Sequence, residues 1–284
     1  MAIPSKGRLV QPTIKLLEDV GIRLQVYDDR ALMIPTNWPD LNIIRVRPED
    51  IPYIVESGAA VMGITGLDYV VESQSGGVKV VERLGFGNGK IVVAVPSILG
   101  INSINDMEDG IRVATKYVNL TMNYFKAYGK NVRIVRISGS AEIMPLLGVA
   151  EAIVDVMSTG TTLKIHGLKP IGVIMETEAV LITNNTGFDK CGEVMERFLL
   201  LLRGVKSSIN KKLVLMNVPT EYLSKVLSIL PAMEGGPTVA DIANKPFKEV
   251  ISVVPENELP SLLVKLKNAG AKDILVMSIE KVIA

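Results

Sequence analysis

The chain has 284 residues, with 31 Lys and Arg against 30 Asp and Glu, for a formal net charge of +1. That length suits two or three domains, and the near-neutral balance gives no whole-chain electrostatic case for a nucleic-acid partner. Hydrophobic residues at 48% and charged residues at 21% allow a large core and exclude wholesale disorder, while a single cysteine and a single histidine exclude a disulfide framework and a multi-histidine metal site.

Residues 1–4 read as a short first strand. The loop Ser5-Lys6-Gly7-Arg8 follows, then a helix carrying Leu9, Ile14, Leu16, Leu17 and Val20, with Gly21 as its stop. A loop with two cations and a glycine between strand and helix lies where open α/β sheets bind ligands. A solvated basic turn is the plainer alternative. Residues 22–41 read as irregular to β. Residues 41–46 read as a strand, Arg45 and Arg47 lie at its end, and Pro48-Glu49-Asp50 starts a helix that stops at Gly58. Arg47 by itself fits a solvated cation at a helix start.

Residues 59–65 form a further apolar strand, ending in Thr65-Gly66-Leu67-Asp68, a second strand-to-loop site with a glycine and an acid. Strands are expected at 78–84 and 90–96, with a bend at 85–89. Residues 104–110 read as a polar helical stretch, 111–115 as a strand, 116–129 as a helix and 132–137 as a strand with alternating arginines.

The stretch 142–163, EIMPLLGVAEAIVDVMSTGTTL, carries the most chemistry. Ile143, Leu146, Leu147 and Val149 are apolar, with a break at Gly148. Ala152, Ile153, Val154, Val156 and Met157 then suit a buried strand. Asp155 within it would be costly to bury without a partner; a ribose hydroxyl or a phosphate-bound Mg²⁺ would satisfy it. Ser158-Thr159-Gly160-Thr161-Thr162 offers hydroxyls, backbone N–H groups and a glycine to a phosphate. An ordinary turn with a helix N-cap uses the same residue types.

The helix after Thr162 is short, and 170–182 return as β structure. The alternation to this point argues for parallel sheets with crossover helices. The strands are too many for one sheet, so two α/β lobes with a cleft between them are expected. A long helix begins near Lys190, and 204–210 read as a linker. Strand 212–218, helix 221–230, strands 237–243 and 249–254, helix 257–269 and strand 273–279 then give βαββαβ, a ferredoxin-like unit. No apolar run approaches the roughly 20 residues that span a bilayer. The start MAIPSKGR lacks the apolar segment of a signal peptide. A soluble cytoplasmic protein with no membrane partner is expected.

Within 142–163 the order glutamate, glycine, small residue, aspartate and S/T-G-x-T-L is met by Glu142, Gly148, Ala150, Asp155, Thr159-Gly160, Thr162 and Leu163. This resembles the signature of the ATP phosphoribosyltransferase family. AIPSKGRL at 2–9, RVRPEDIP at 45–52, GITGLD at 63–68 and LTMNYF at 120–125 resemble the family as well. The C-terminal unit is similar to the regulatory domain of the family's long form. The resemblance implies a two-lobed, periplasmic-binding-protein-like catalytic part, with 1–90 and 177–205 as lobe I, 91–176 as lobe II and 206–284 as the regulatory domain. It implies that N1 of ATP is joined to C1 of phosphoribosyl pyrophosphate with release of pyrophosphate, with Mg²⁺ required, as the first step of histidine biosynthesis. It further implies feedback inhibition by histidine and a homo-oligomer between dimer and hexamer.

In site terms the resemblance implies catalytic roles for Arg47, Asp155 and Glu142. Lys6, Gly7, Arg8, Thr65, Gly66, Asp68, Ser158, Thr159, Gly160, Thr161 and Thr162 would bind substrates. Asn217, Glu234, Thr238 and Asp241 would serve the regulator, and the metal ligands are left unassigned. The chain departs from the family at Val61 and Glu151, where Asp is common, at Val118, where proline is common, and at Met122 and Asn123, where two arginines are common. A solute-binding protein fused to a sensor domain and an inactive regulatory homologue are the competing readings. The acid followed by the S/T-G-T-T loop argues against both.

Overall fold

A computed structural model describes residues 1–25, 31–231, 236–243 and 245–283, with the backbone alone for 187–190. The chain divides into two compact units, Met1–Met195 and Glu196–Ala284. Among the described residues no helix is long and apolar enough to cross a membrane.

The first unit holds two sheets. One has six strands in the spatial order Met33–Pro35, Asn42–Val46, Ala2–Pro4, Met62–Gly66, Ala179–Asn184 and Val78–Arg83. The other has five, in the order Leu168–Thr177, Gly89–Pro96, Ala152–Met157, Ile111–Thr115 and Val132–Arg136. Each sheet is the floor of one lobe. The chain crosses to the second sheet after Arg83 and returns at Glu178, between the strands Leu168–Thr177 and Ala179–Asn184. Ala179–Asn184 is buried on both faces, as its apolar run AVLI requires.

Helices close the sheets where the sequence supplies an apolar stripe and a stop. Val10–Val20 buries Leu16, Leu17 and Val20. It ends at Gly21, whose φ of 99° lets its N–H and that of Ile22 bond back to the Glu18 and Leu17 carbonyls. In the second lobe Tyr117, Leu120 and Phe125 pack with Ile91, Val93, Val113 and Val154 to form one core. Leu163, Ile153 and Ala150 form another on the opposite face of the same sheet.

The sheets are mixed rather than parallel. Ala2–Pro4, Asn42–Val46 and Met62–Gly66 run parallel, as do Ala152–Met157, Ile111–Thr115 and Val132–Arg136. The strand by which the chain enters the second lobe, Gly89–Pro96, runs against that parallel set, and the strand by which it leaves, Leu168–Thr177, is antiparallel to the entering one. The β structure expected over 170–182 is two strands in different sheets. The expected helix over 104–110 is only the 3-10 turn Ile104–Asp106: a capping box between Ser103 and Asp106 starts it, and the extended backbone of Met107 ends it.

The helical stretch Gly187–Ser208, broken by a kink at Cys191, reaches into the expected linker at 204–210 and ends at Ser208. Gly204 is not a flexible joint. A Cβ there would stand 2.4 Å from the Ile283 side chain, and its carbonyl accepts the Val282 N–H. A four-stranded antiparallel sheet follows, in the order Thr238–Asp241, Phe247–Pro255, Lys211–Pro219 and Lys272–Ser278. This is the ferredoxin-like arrangement expected for βαββαβ. Leu259–Asn268 covers one face, while the expected helix over 221–230 shrinks to the turn Thr220–Tyr222 and Leu223–Leu227.

Candidate active site

The parallel strands Ile111–Thr115 and Ala152–Met157 end at the same edge of the second lobe. Ligands of open α/β sheets bind at that carboxyl edge. The first strand delivers Lys116 and Tyr117 there, and the second delivers Asp155 and the loop after it.

Ala152, Ile153 and Val154 are fully enclosed, and burial relaxes from Asp155 onward, where the strand has passed the end of Ile111–Thr115 but stays paired with Gly89–Pro96. Asp155 Oδ1 accepts the Val156 N–H at 2.7 Å, and the Lys116 ammonium stands 3.6 Å from the same oxygen. Gly160 takes a φ of 78° at the start of the short helix Thr161–Ile165, a conformation that favours glycine. The Thr159 and Thr161 hydroxyls meet at 2.9 Å. Together with Glu142, Asp155 and Ser158–Thr162 line a cavity of about 230 Å³. Two carboxylates and a ring of hydroxyls thus converge as the stretch 142–163 predicts.

A neighbouring cleft of about 300 Å³ is lined from both lobes. Lys6, Gly7, Arg8, Pro48 and Asp68 come from the first, and Lys116, Tyr117, Ser138 and Val156 from the second. Lys6 pairs with Glu49 at 3.1 Å. The Arg8 guanidinium reaches to the second lobe at Gly89, where a Cβ would stand 3.0 Å from its Nη1. A third hollow of about 450 Å³ shares Glu49, Tyr69, Lys116 and Ser138 with this cleft and adds Arg47, Asn119 and Arg136. The predicted cations therefore face one continuous depression.

Three predicted residues are built into its floor instead. Thr65 is wholly buried, and its hydroxyl donates to the Pro48 carbonyl at 2.7 Å. Asp68 is 1% exposed and accepts from the hydroxyls of Tyr117 at 2.6 Å and Thr177 at 2.7 Å. Gly66 leaves room for that carboxylate, since a Cβ there would lie 2.1 Å from Asp68 Oδ1. Met122 is 54% exposed, and neither it nor Asn123 lines these hollows. The two absent arginines thus fall outside the lining.

Lys116, Tyr69 and Arg136 belong to the depression without having been singled out from sequence. Lys116 sits where a strand meets a helix, and the rule applied to Ser158 applies there too. Burial works to lower the Lys116 pKa, but Asp155, Tyr69 and Asp68 together outweigh it and hold the ammonium above the ordinary lysine value. Its charge lies 5.1 Å from the Tyr117 ring centre and 5.7 Å from that of Tyr69. Burial raises the phenol pKa of Tyr69, against the opposing pull of Lys116. Burial followed by the Asp68 charge raises that of Tyr117 much further.

In the second unit Asn217 donates to Asp273 at 3.0 Å, and Asp241 pairs with Lys248. Asn217 and Ala240 both lie opposite Glu249, whereas Asp241 lies opposite Lys248. Asn217 and Thr238 therefore share one face of the sheet and Asp241 belongs to the other. Glu234 lies outside the described residues.

Two mixed α/β lobes, with cations and a hydroxyl loop around a depression between them, define a two-lobed α/β protein with a ferredoxin-like C-terminal domain. The model of the ATP phosphoribosyltransferase family matches residues 47–204, and that of the HisG C-terminal domain matches 209–281. An ATP phosphoribosyltransferase of Pyrobaculum calidifontis is 53% identical over 284 residues, covering 100% of this chain and 99% of that one. One from Ignicoccus hospitalis is 50% identical over 282 residues, covering 99% and 98%. Among solved structures, the ATP phosphoribosyl transferase (HisG:HisZ) complex from Thermotoga maritima matches with a TM-score of 0.62 and 26% identity, covering 71% of this chain and 96% of that one. The chain belongs to the ATP phosphoribosyltransferase family, in the long form that carries the C-terminal domain.

Proposed function

We propose that the chain transfers the phosphoribosyl group of phosphoribosyl pyrophosphate to N1 of ATP, releasing pyrophosphate, as the first step of histidine biosynthesis in the cytoplasm. The observation that carries this reading is the convergence of Asp155, Glu142 and the Ser158–Thr162 loop beside a depression lined by Lys6, Arg8 and Arg47. Full-length identity of about half to relatives named ATP phosphoribosyltransferase supports it.

Displacement at C1 needs alignment and charge stabilisation more than a protein nucleophile. The loop Ser158-Thr159-Gly160-Thr161-Thr162 holds the 5-phosphate, through hydroxyls and the N–H groups that a helix start leaves unpaired. Asp155 accepts from ribose hydroxyls. Arg47 offers a planar fork to diphosphate oxygens. Lys6, Gly7 and Arg8 serve the phosphates of ATP. Thr65, Gly66 and Asp68 act on the nucleotide side by fixing the wall of the cleft. Among the described residues no three acid, histidine or cysteine side chains cluster as a metal cage. Two carboxylates, Glu142 and Asp155, in one polar cavity nonetheless suit an ion that arrives on a diphosphate and keeps much of its water. Mg²⁺ so held by Glu142 and Asp155 would neutralise charge on the leaving group.

The C-terminal unit takes histidine as feedback inhibitor, with Asn217, Glu234, Thr238 and Asp241 as the residues to test, and the chain assembles as dimers and hexamers. Incubating it with ATP, phosphoribosyl pyrophosphate, Mg²⁺ and a pyrophosphatase tests the reaction. The absorbance of an N1-alkylated adenine should rise in proportion to enzyme. No product under saturating substrates overturns the proposal.

A further inference from the structure

Lys116 is the residue common to the cleft of Lys6 and Arg8 and the hollow of Arg47 and Arg136. Its ammonium also stands beside Asp155, which opens into the third cavity with the Ser158–Thr162 loop. It thus lines two parts of the depression and contacts an acid that lines the third.

The contacts of the ammonium are loose. The distance of 3.6 Å to Asp155 exceeds the roughly 2.7–2.9 Å of a tight charge-assisted hydrogen bond. Its side chain is 28% exposed, so its charge is only partly solvated. Asp50 also lines the hollow and is exposed, while the other acids nearby are committed. Asp68 holds the Tyr117 and Thr177 hydroxyls. Both Glu72 oxygens accept the Asn119 and Leu120 N–H groups, each at 2.9 Å. Glu49 holds Lys6. Among the described residues Arg47 and Arg136 have no ion-pair partner. Three cations around one hollow, with the neighbouring acids largely occupied, leave positive charge to be met by a polyanion.

We propose that Lys116 is a substrate-binding cation of this site, engaging the diphosphate of the phosphoribosyl donor and, after transfer, the released pyrophosphate. The inference rests on the phosphoribosyltransferase reading above. Its placement between the loop assigned to the 5-phosphate and Arg47 selects the diphosphate rather than the 5-phosphate itself. Asp155 holds the ammonium until the diphosphate arrives and is then freed toward the ribose.

The test compares the wild-type chain with Lys116→Met, Lys116→Gln and Lys116→Arg. Inorganic pyrophosphate with Mg²⁺ is titrated calorimetrically, and KM is measured for each substrate. Loss of one charge-assisted contact should raise the pyrophosphate Kd and the donor KM about tenfold or more in the Met and Gln variants. The KM for ATP should stay within about threefold, and Lys116→Arg should recover part of the loss. A thermal midpoint near that of the wild type in either neutral variant separates this from a folding defect. A folded neutral variant with unchanged pyrophosphate Kd and donor KM overturns the proposal, as does an equal rise in both KM values. A wild-type chain that binds pyrophosphate through Lys116 yet forms no product supports the contact and overturns the transferase reading instead.

Discussion

The Tyr117 hydroxyl donates to Asp68 Oδ2 at 2.6 Å, joining residues 49 positions apart and from different lobes. Thr177, on the strand by which the chain leaves the second lobe, fills the other oxygen. The phenol is raised well above its ordinary pKa and stays protonated, so it donates throughout the physiological range. Tyr117→Phe leaves a fully buried carboxylate oxygen short of a donor, at a cost of about 1–3 kcal/mol. In an Asp68→Asn background the same change should cost less, because the uncharged amide is less expensive to leave unpaired. Denaturant unfolding of the two single variants and the double variant measures this. Strictly additive losses would show that the two side chains do not act as a pair.

A second cross-lobe contact comes from Glu72, one turn beyond Asp68 on the helix Leu67–Ser73. Glu72 caps Val118–Ala127 through the Asn119 and Leu120 N–H groups, and its own carbonyl accepts the Asn119 amide. Helix starts favour such a carboxylate through both hydrogen bonds and the dipole. Glu72→Ala should destabilise the first unit by about 1–2 kcal/mol, with Glu72→Gln in between. Because Lys116 and Tyr117 immediately precede this helix, donor KM should rise in Glu72→Ala. Unchanged stability and KM would remove Glu72 from the lobe contact.

What the sequence makes legible follows from period and punctuation. The apolar run before Asp155, the glycine at 160 and the βαββαβ order at the C-terminus are local patterns, and each appears in the structure. Asp68 shows the limit. Its glycine and acid in TGLD suit a ligand loop, but its partners lie 49 and 109 positions away. No local pattern encodes a buried acid satisfied by hydroxyls of the other lobe. Lys116 is hidden for the same reason, since its significance comes from three hollows built by segments far apart in the chain. The helix expected at 104–110 has the start signal of a capping box, but the backbone turns extended at Met107 after one turn. The supposed linker at 204–210 fails because Gly204 serves close packing against Ile283 rather than flexibility.

Glu151, where the family often has Asp, makes a paired contact with the Arg112 side chain and backbone N–H. The Arg112 hydrogen bonds outweigh the opposing effect of burial and hold its carboxyl below the ordinary value of 4.5. A carboxylate with a depressed folded pKa contributes stability above the unfolded pKa, and that contribution is lost as pH falls through the folded one. Both side chains are more than a third exposed, so the contribution is small and screened by salt. Wild-type stability should therefore decline more steeply below pH 4.5 than that of Glu151→Gln, and the gap should narrow in high salt. Parallel stability curves through this window would contradict the assignment.

Arg47 is exposed at the turn that opens Pro48–Asp50, and its extended backbone projects it beside Glu49, Tyr69 and Arg136. An exposed side chain without an ion-pair partner among the described residues contributes little to folding. Arg47→Ala should therefore keep the thermal midpoint within a degree or two. If the guanidinium meets charge that grows as pyrophosphate departs, turnover should fall by about 10²–10³, as when one preorganised donor is removed from a developing anion. Arg47→Lys should recover only part of this, because a point charge does not reproduce the planar fork. Steady-state kinetics with both substrates saturating decide the matter. A fall confined to donor KM would make Arg47 a ground-state anchor, and equal activity in Arg47→Ala would place it outside the mechanism.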